Sequence, residues 1–185
     1  MASTTYLSAF FFSFLVSYIF LGVKADNCAR DWLEYQGNCY GYFETKVSWE
    51  KAEIDCQSYA RGAHLASILT TAESLVVANH IAAFQNEASD VWIGLRDITH
   101  KGRWRWADGS VFNYKSWLVV PPKIQKNPKY CVELLRSGSG SSVVQDQNGV
   151  VQQTEERGLS ERADFTKWRN TKCQKLNAYI CKHEL

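Results

Sequence analysis

The sequence predicts an α+β domain, exported and held by disulfides, and three observations carry that prediction. Six cysteines (Cys28, Cys39, Cys56, Cys131, Cys173 and Cys181) follow an uncharged apolar leader. The hydrophobic period passes from alternation to helical spacing and then to short apolar runs. Trp92-Ile93-Gly94-Leu95 lies between the third and fourth cysteines and has the character of a buried strand.

The leader comes first. Tyr6 to Val23 is apolar, aromatic-rich and free of charge. Val23 and Ala25 sit at −3 and −1 of a small-residue cleavage site before Asp26. Residues 1–25 therefore read as a secretory signal peptide, although Met1 to Thr5 carries no Lys or Arg. The rival reading is an uncleaved anchor, since the run is nearly long enough to span a bilayer. Cleavage is favoured because Cys28 follows at once, with no stalk to hold a domain off a membrane. No other stretch can cross a bilayer, so no membrane span is expected after cleavage.

Residues 26–185 then form one domain, long enough for a real core. The whole chain has 21 basic and 19 acidic residues; loss of Lys24 leaves 20 against 19. That balance gives no nucleic-acid signal. Export makes disulfides the expected fate of six cysteines, in any of 15 pairings. Zinc is rejected because there is no Cys-x-x-Cys, and His64, His80, His100 and His183 are scattered.

The elements follow in order. Trp32 to Phe43 alternates around a Gly37-Asn38 turn signal and reads as a hairpin. Trp49, Ala52, Cys56 and Tyr59 recur at helical spacing, with Glu50, Lys51, Glu53 and Asp55 assigned to the outer side. Ser48 is the expected N-cap, and Gly62 lies past the end. A second helix opens at Thr70, with Glu73 at capping-box spacing and Leu75, Ala78, Ile81 and Ala82 as its apolar positions. Val91 to Leu95, Trp104 to Trp106, Tyr130 to Leu134 and Ala178 to Lys182 read as strands. Trp117 to Tyr130 holds all three prolines and reads as irregular.

Ser137 to Ala163 contains no aromatic residue in a chain rich in them. Such a segment buries too little apolar area to offset its ordering entropy, so residues 137–163 read as a disordered insertion. A partner-binding loop and a gene-model artefact are the alternatives. The mature chain has no Asn-x-Ser/Thr acceptor for glycosylation.

These motifs, with Gly62-Ala63-His64-Leu65-Ala66-Ser67-Ile68, Trp104-x-Trp106-x-Asp108-Gly109, Cys131-Val132-Glu133-Leu134 and Trp168-x-x-x-x-Cys173, give the chain its likeness. It resembles a C-type lectin-like domain, on the side of the secreted regenerating-protein (Reg) lectins and reptile venom lectins. The resemblance implies two helices, two small antiparallel sheets and a long irregular loop region. It also implies the pairs Cys28–Cys39, Cys56–Cys181 and Cys131–Cys173, which leaves no cysteine for an intermolecular disulfide.

Sugar-binding members of that family hold a calcium ion. Its ligands are a Glu/Gln-Pro-Asn/Asp triplet after the loop-start Trp, a Glu two residues before the next cysteine, and a Trp-Asn-Asp. Calcium takes several hard oxygen ligands, and sugar hydroxyls fill the open positions. Here the triplet is Pro121-Pro122-Lys123, the Glu position holds Lys129, and Trp168-Arg169-Asn170 replaces Trp-Asn-Asp. Only Asn170 still offers a side-chain oxygen, and Lys123, Lys129 and Arg169 bring positive charge. No calcium is expected at this site, and no other cofactor is indicated.

The candidate ligand-binding residues are therefore Pro122, Lys123, Lys126, Lys129, Arg169 and Asn170, with Lys172 beside them. They form either an anion site or an ordinary solvated charged face. Trp117, Tyr114 and Tyr130 flank the loop and either pack or stack on a sugar. The function expected is secreted, calcium-independent carbohydrate recognition, with acidic glycan as a candidate ligand. The alternative is a protein-binding module acting on a cell-surface receptor or a haemostatic protein. Nothing points to an enzyme: no nucleophile has a recognisable base, and no metal set or phosphate loop is present.

Overall fold

A computed structural model describes residues 27–97, 99, 101–118, 129–136 and 164–185. The leader, the segment 119–128 with Pro121, Pro122, Lys123 and Lys126, and the insertion 137–163 lie outside the described residues. Element order is β1 (Leu33–Tyr35), β2 (Asn38–Val47), α1 (Trp49–Tyr59), β3 (His64–Leu65), α2 (Thr71–Phe84), β4 (Val91–Asp97), β5 (Trp104–Trp106), β6 (Tyr130–Leu134), β7 (Trp168–Lys172) and β8 (Asn177–Glu184). The α+β class and the C-type lectin-like arrangement are as the sequence implies.

Two antiparallel groups of strands meet in one eight-stranded sheet of order β1-β2-β8-β4-β6-β7, with β3 on β8 and β5 on β4. The junction is a short parallel pairing of β4 with β8, Val91 to Ala178 and Trp92 to Tyr179. The resemblance implied two sheets; this pairing joins them.

The β1–β2 turn lies one residue earlier than Gly37-Asn38. Gln36 (φ 48°) and Gly37 (φ 71°) are both left-handed, the signature of a two-residue hairpin turn. Asn38 instead opens β2, opposite Tyr35. Leu185 reaches this turn, because β2 runs beside β8 and the Leu185 N–H donates to the Gly37 carbonyl at 2.9 Å.

Ser48 caps α1 as its position suggests. Trp49, Ala52 and Cys56 are buried, but Tyr59 is exposed, and Glu53 lies inside rather than on the outer face. The reason is tertiary. Glu53 accepts the Leu65 N–H at 2.9 Å and binds His64 Nδ1 at 2.6 Å, tying α1 to β3.

Thr70 caps α2. The Glu73 carboxylate reaches one residue further back than a capping box and accepts the Leu69 N–H at 2.6 Å. It also accepts from the Tyr40 hydroxyl and from Lys182 Nζ. Burial and the Glu73 carboxylate push the Tyr40 phenol well above its usual range. Val77, Ala78 and Ile81 face the core, whereas Leu75 faces solvent.

The core occupies both faces of the sheet around β4. Val91, Ile93 and Leu95 join one cluster, with Phe165 and Trp168. Trp92 points the other way, to Trp49, Cys56 and Tyr179. This explains the unbroken apolar string in β4: a strand covered on both sides shows no polar alternation. Trp49 Nε1 donates to the Ile93 carbonyl (2.8 Å) and Trp92 Nε1 to the Val47 carbonyl (2.9 Å), so both buried indoles are satisfied by backbone.

The three disulfides are Cys28–Cys39, Cys56–Cys181 and Cys131–Cys173, the pairs the resemblance implies. Among the described residues no cysteine is free.

Candidate functional site

The candidate residues that are described gather on the β6–β7 hairpin. Antiparallel register sets Tyr130 opposite Lys172, Val132 opposite Asn170 and Glu133 opposite Arg169. The Cys131–Cys173 bridge closes one end. Lys129 stands at the same end, its carbonyl accepting the Cys173 N–H at 3.3 Å.

Strand alternation separates neighbours in sequence. Asn170 and Lys172 share the Trp168 face, whereas Arg169 turns to the Glu133 face. Among the described residues, no hydrogen bond or ion pair holds the side chains of Lys129, Asn170 or Lys172. Arg169 is engaged through two of its three guanidinium nitrogens. Its Nε and Nη2 donate to Glu133 Oε1 at 2.8 and 2.6 Å, and Nη2 donates to Asp90 Oδ2 at 2.9 Å.

The same two acids bind a second cation. Lys175 Nζ reaches Asp90 Oδ2 at 2.7 Å and Glu133 Oε2 at 2.8 Å. Asn177 Nδ2 donates to Glu133 Oε2 at 2.5 Å. Glu133 is wholly buried and Arg169 half-exposed. A buried carboxylate requires pairing and hydrogen bonds, and here two cations and an amide supply them. The network holds two positive and two negative charges, so Arg169 adds no net attraction to an outer anion surface.

Sequence reasoning missed Glu133, Asp90, Lys175 and Asn177. One signal was available: a lone acid in the apolar run Cys131-Val132-Glu133-Leu134-Leu135 must find a partner on burial. Which partner is set by strand pairing.

Under the hairpin lies an aromatic base. Trp168 is wholly buried and meets Trp106, Tyr114 and Trp117 edge-to-face at 5.6, 5.5 and 5.7 Å between centroids. Trp104 adds to Trp117 at 5.2 Å. Backbone bonds fix this contact: Trp168 N–H to the Ser116 carbonyl (2.8 Å) and Leu118 N–H to the Trp168 carbonyl (3.0 Å). Tyr114 and Trp117 thus pack. Among the described residues the indole N–H groups of Trp106 and Trp168 have no hydrogen-bond acceptor, and ring faces lie around them.

The described donor set does not fit calcium. Lys129 and Arg169 are cations at two ligand positions, Asn170 gives one amide oxygen, and the nearby carboxylates of Glu133 and Asp90 are occupied by Arg169 and Lys175. Among the described residues no group of three or more acidic, His or Cys side chains is placed to hold a metal. Among the same residues no helix is long and apolar enough to cross a membrane.

Comparison with known proteins agrees with this architecture. The Lectin C-type domain model matches residues 45–183. Regenerating islet-derived protein 4 of Homo sapiens is 32% identical over 161 residues, covering 87% of this chain and 84% of that protein. C-type lectin BiL of Bothrops insularis is 33% identical over 171 residues, 92% of each chain. The crystal structure of human lithostathine superposes with a TM-score of 0.67 at 28% identity, covering 89% of this chain and 96% of that one. The family model spans more than half of the chain and these relatives exceed 30% identity over most of its length, so the chain belongs to the C-type lectin domain family.

Proposed function

We propose that this chain is an exported, calcium-independent carbohydrate-binding protein, with an acidic glycan as ligand of the β6–β7 end. The observation that carries the reading is the capture of Glu133 and Asp90 by Arg169 and Lys175. The carboxylates nearest the hairpin are neutralised from within, while Lys129 and Lys172 keep their charge for solvent. Calcium would meet cations and too few oxygens; a sulfate or carboxylate would meet ammonium groups. Pro122, Lys123 and Lys126 belong to the same proposal on the strength of the sequence and lie outside the described residues. The apolar leader and the three disulfides support export.

A protein ligand is the second reading. Leu118, beside Trp117, is exposed, as is Val111, and exposed apolar side chains suit a protein contact. The experiment is a glycan array run with and without EDTA and at low and high salt. Hits on sulfated or carboxylated glycans that survive EDTA and fade with salt support the acidic-glycan reading. An empty array with binding to a cell-surface protein supports the second. Hits that require calcium contradict both.

A further inference from the structure

A cleft of about 470 Å³ opens on the β2–β8 side of the sheet, with β4 and β6 between it and β7. Arg61, Asp108, Ser110, Lys182 and Glu184 are among its lining residues. Its size falls in the range of small-molecule sites, roughly 300–1,000 Å³. The pairing of β3 with β8 is antiparallel and sets His64 opposite Lys182, so Arg61, before His64, and Glu184, after Lys182, come to one end of the cleft. Lys182 stands two residues back along β8, roughly 7 Å from Glu184. Asp108 lies past the Lys182 ammonium, at the other end.

The Asp108 end is fixed by the fold. Lys182 Nζ is held by Glu73 Oε1 (2.8 Å), Ser67 Oγ (3.2 Å) and the Ser67 carbonyl (3.3 Å). Ser67, wholly buried, donates through Oγ to Asp108 Oδ2 at 2.5 Å. The Ser110 N–H donates to the other oxygen, Oδ1, at 2.8 Å. A carboxylate accepts about four hydrogen bonds, so each oxygen keeps acceptor capacity. Asp108 is thereby aimed by the protein yet remains exposed.

The other end carries two charges that nothing satisfies. Arg61 and Glu184 are both exposed. Among the described residues neither side chain makes a hydrogen bond or an ion pair, so they share one end of the cleft without meeting each other. A guanidinium takes a carboxylate through paired N–H donors, and a carboxylate takes an ammonium. An unpaired Arg61 beside an unpaired Glu184 is the complement of a carboxylate and an ammonium carried on a single carbon, the head of an α-amino acid.

Charge selects among amino acids. The Lys182 ammonium is cancelled by Glu73 at 2.8 Å. With the imidazoles neutral, the cleft keeps Arg61 against Asp108 and Glu184, an excess of one negative charge. A ligand of net charge +1 matches it, provided its second cation reaches Asp108. Sulfate or phosphate would answer Arg61 alone. A metal ion has no set of three acidic, His or Cys side chains among the described residues. Leu69 is the aliphatic side chain in the lining, too little apolar surface for a lipid but enough to lie along a methylene stem.

We propose that this cleft binds a free basic α-amino acid of the arginine or lysine type, its carboxylate on Arg61, its α-ammonium on Glu184 and its side-chain cation on Asp108. The site is separate from the β6–β7 face. The proposal goes beyond the acidic-glycan reading and stands if that reading fails.

The test uses the isotope-labelled protein, titrated at low salt with L-arginine and with L-lysine. Amide NMR shifts are expected to cluster at Gly62, His64, Ser110 and Lys182 for at least one of them. Citrulline keeps the head and loses the side-chain charge; agmatine loses the carboxylate. Each should bind about tenfold more weakly, the scale of one charged hydrogen bond. Arg61→Ala and Glu184→Gln, both exposed and outside the core, should each raise Kd by about the same factor. Asp108→Asn should erase the preference over citrulline, and Lys129→Ala should leave Kd unchanged. No shift with either amino acid overturns the proposal, as do shifts confined to Lys129, Asn170 and Trp117. Equal binding of citrulline overturns it, as does an affinity unmoved by both Arg61→Ala and Glu184→Gln. Nα-acetyl-arginine amide bound as tightly as arginine overturns it also, since a basic side chain within a peptide would then suffice.

Discussion

Glu133 and Arg169 face each other across β6 and β7, and a single carboxylate oxygen, Oε1, receives both Nε (2.8 Å) and Nη2 (2.6 Å). An arginine that charge counting assigns to a ligand surface is thus bound to a buried internal acid. Arg169→Ala should therefore cost stability before affinity. Lys175 and Asn177 remain on Glu133, and Arg169 is half-exposed, so the loss is about 1–2 kcal/mol rather than the full cost of breaking a buried pair. Urea unfolding with disulfides intact measures it. Lys129→Ala should show the reverse: unchanged stability and weaker, less salt-sensitive glycan binding.

Gly94 has a different constraint. A Cβ there would lie 2.3 Å from the Leu65 carbonyl oxygen, a backbone atom that cannot swing aside. Gly94 also donates to the Ala66 carbonyl at 2.9 Å, which locks that approach. Gly94→Ala should cost roughly 3 kcal/mol or more, at the top of the overpacking range. Gly62→Ala should cost only about 1 kcal/mol: its space is open, and the penalty is its φ of 76°. Thermal melts of the two variants compare them directly.

His80 and Asp97 both act on the acid side of the stability curve. Burial holds the His80 imidazole below its usual range. Its folded pKa is thus under the unfolded value of about 6.5, and stability falls as pH drops through that value. At Asp97, burial alone would raise the pKa. The N–H groups of Gly102 (2.8 Å), Thr99 (3.1 Å) and Arg103 (3.2 Å) outweigh it and hold the carboxyl below its usual range. That contribution is complete above an unfolded pKa of about 3.9 and is lost as pH falls through the lower folded value. Melting temperature should drop in two stages, near pH 6 and again below about pH 4. His80→Leu should remove the first. Asp97→Asn should flatten the second and cost roughly 1–2 kcal/mol at neutral pH.

The disulfides should contribute unequally. Cys56–Cys181 spans 125 residues and Cys28–Cys39 spans 11. Chain entropy makes the longer bridge worth about 2 kcal/mol more. Denaturant midpoints of the two paired Cys→Ala variants should show that order.

The frame of this fold is written locally. Ser48 and Thr70 announce their helices, and Trp92 to Leu95 reads as a buried strand because it is covered on both faces. What sequence does not carry is the identity of partners distant along the chain. Glu53 has a polar helix address and a buried fate because His64 and the Leu65 N–H arrive from β3. The strands β3 and β7 escape periodicity: one is two residues long, and the other, Trp168-Arg169-Asn170-Thr171-Lys172, is polar apart from its tryptophan. Arg169 is legible as a cation and as a replacement for a calcium ligand. Its engagement by Glu133 and Asp90 depends on the β6–β7 register and on the approach of Asp90 to the same carboxylate.

The most direct test of the account is the affinity of the full domain for a sulfated oligosaccharide, measured by calorimetry in EDTA and again in excess calcium. The account predicts the same Kd in both, a weakening with added salt, and a further loss in Lys129→Ala. A Kd that tightens with calcium, or binding seen only with calcium present, would contradict it.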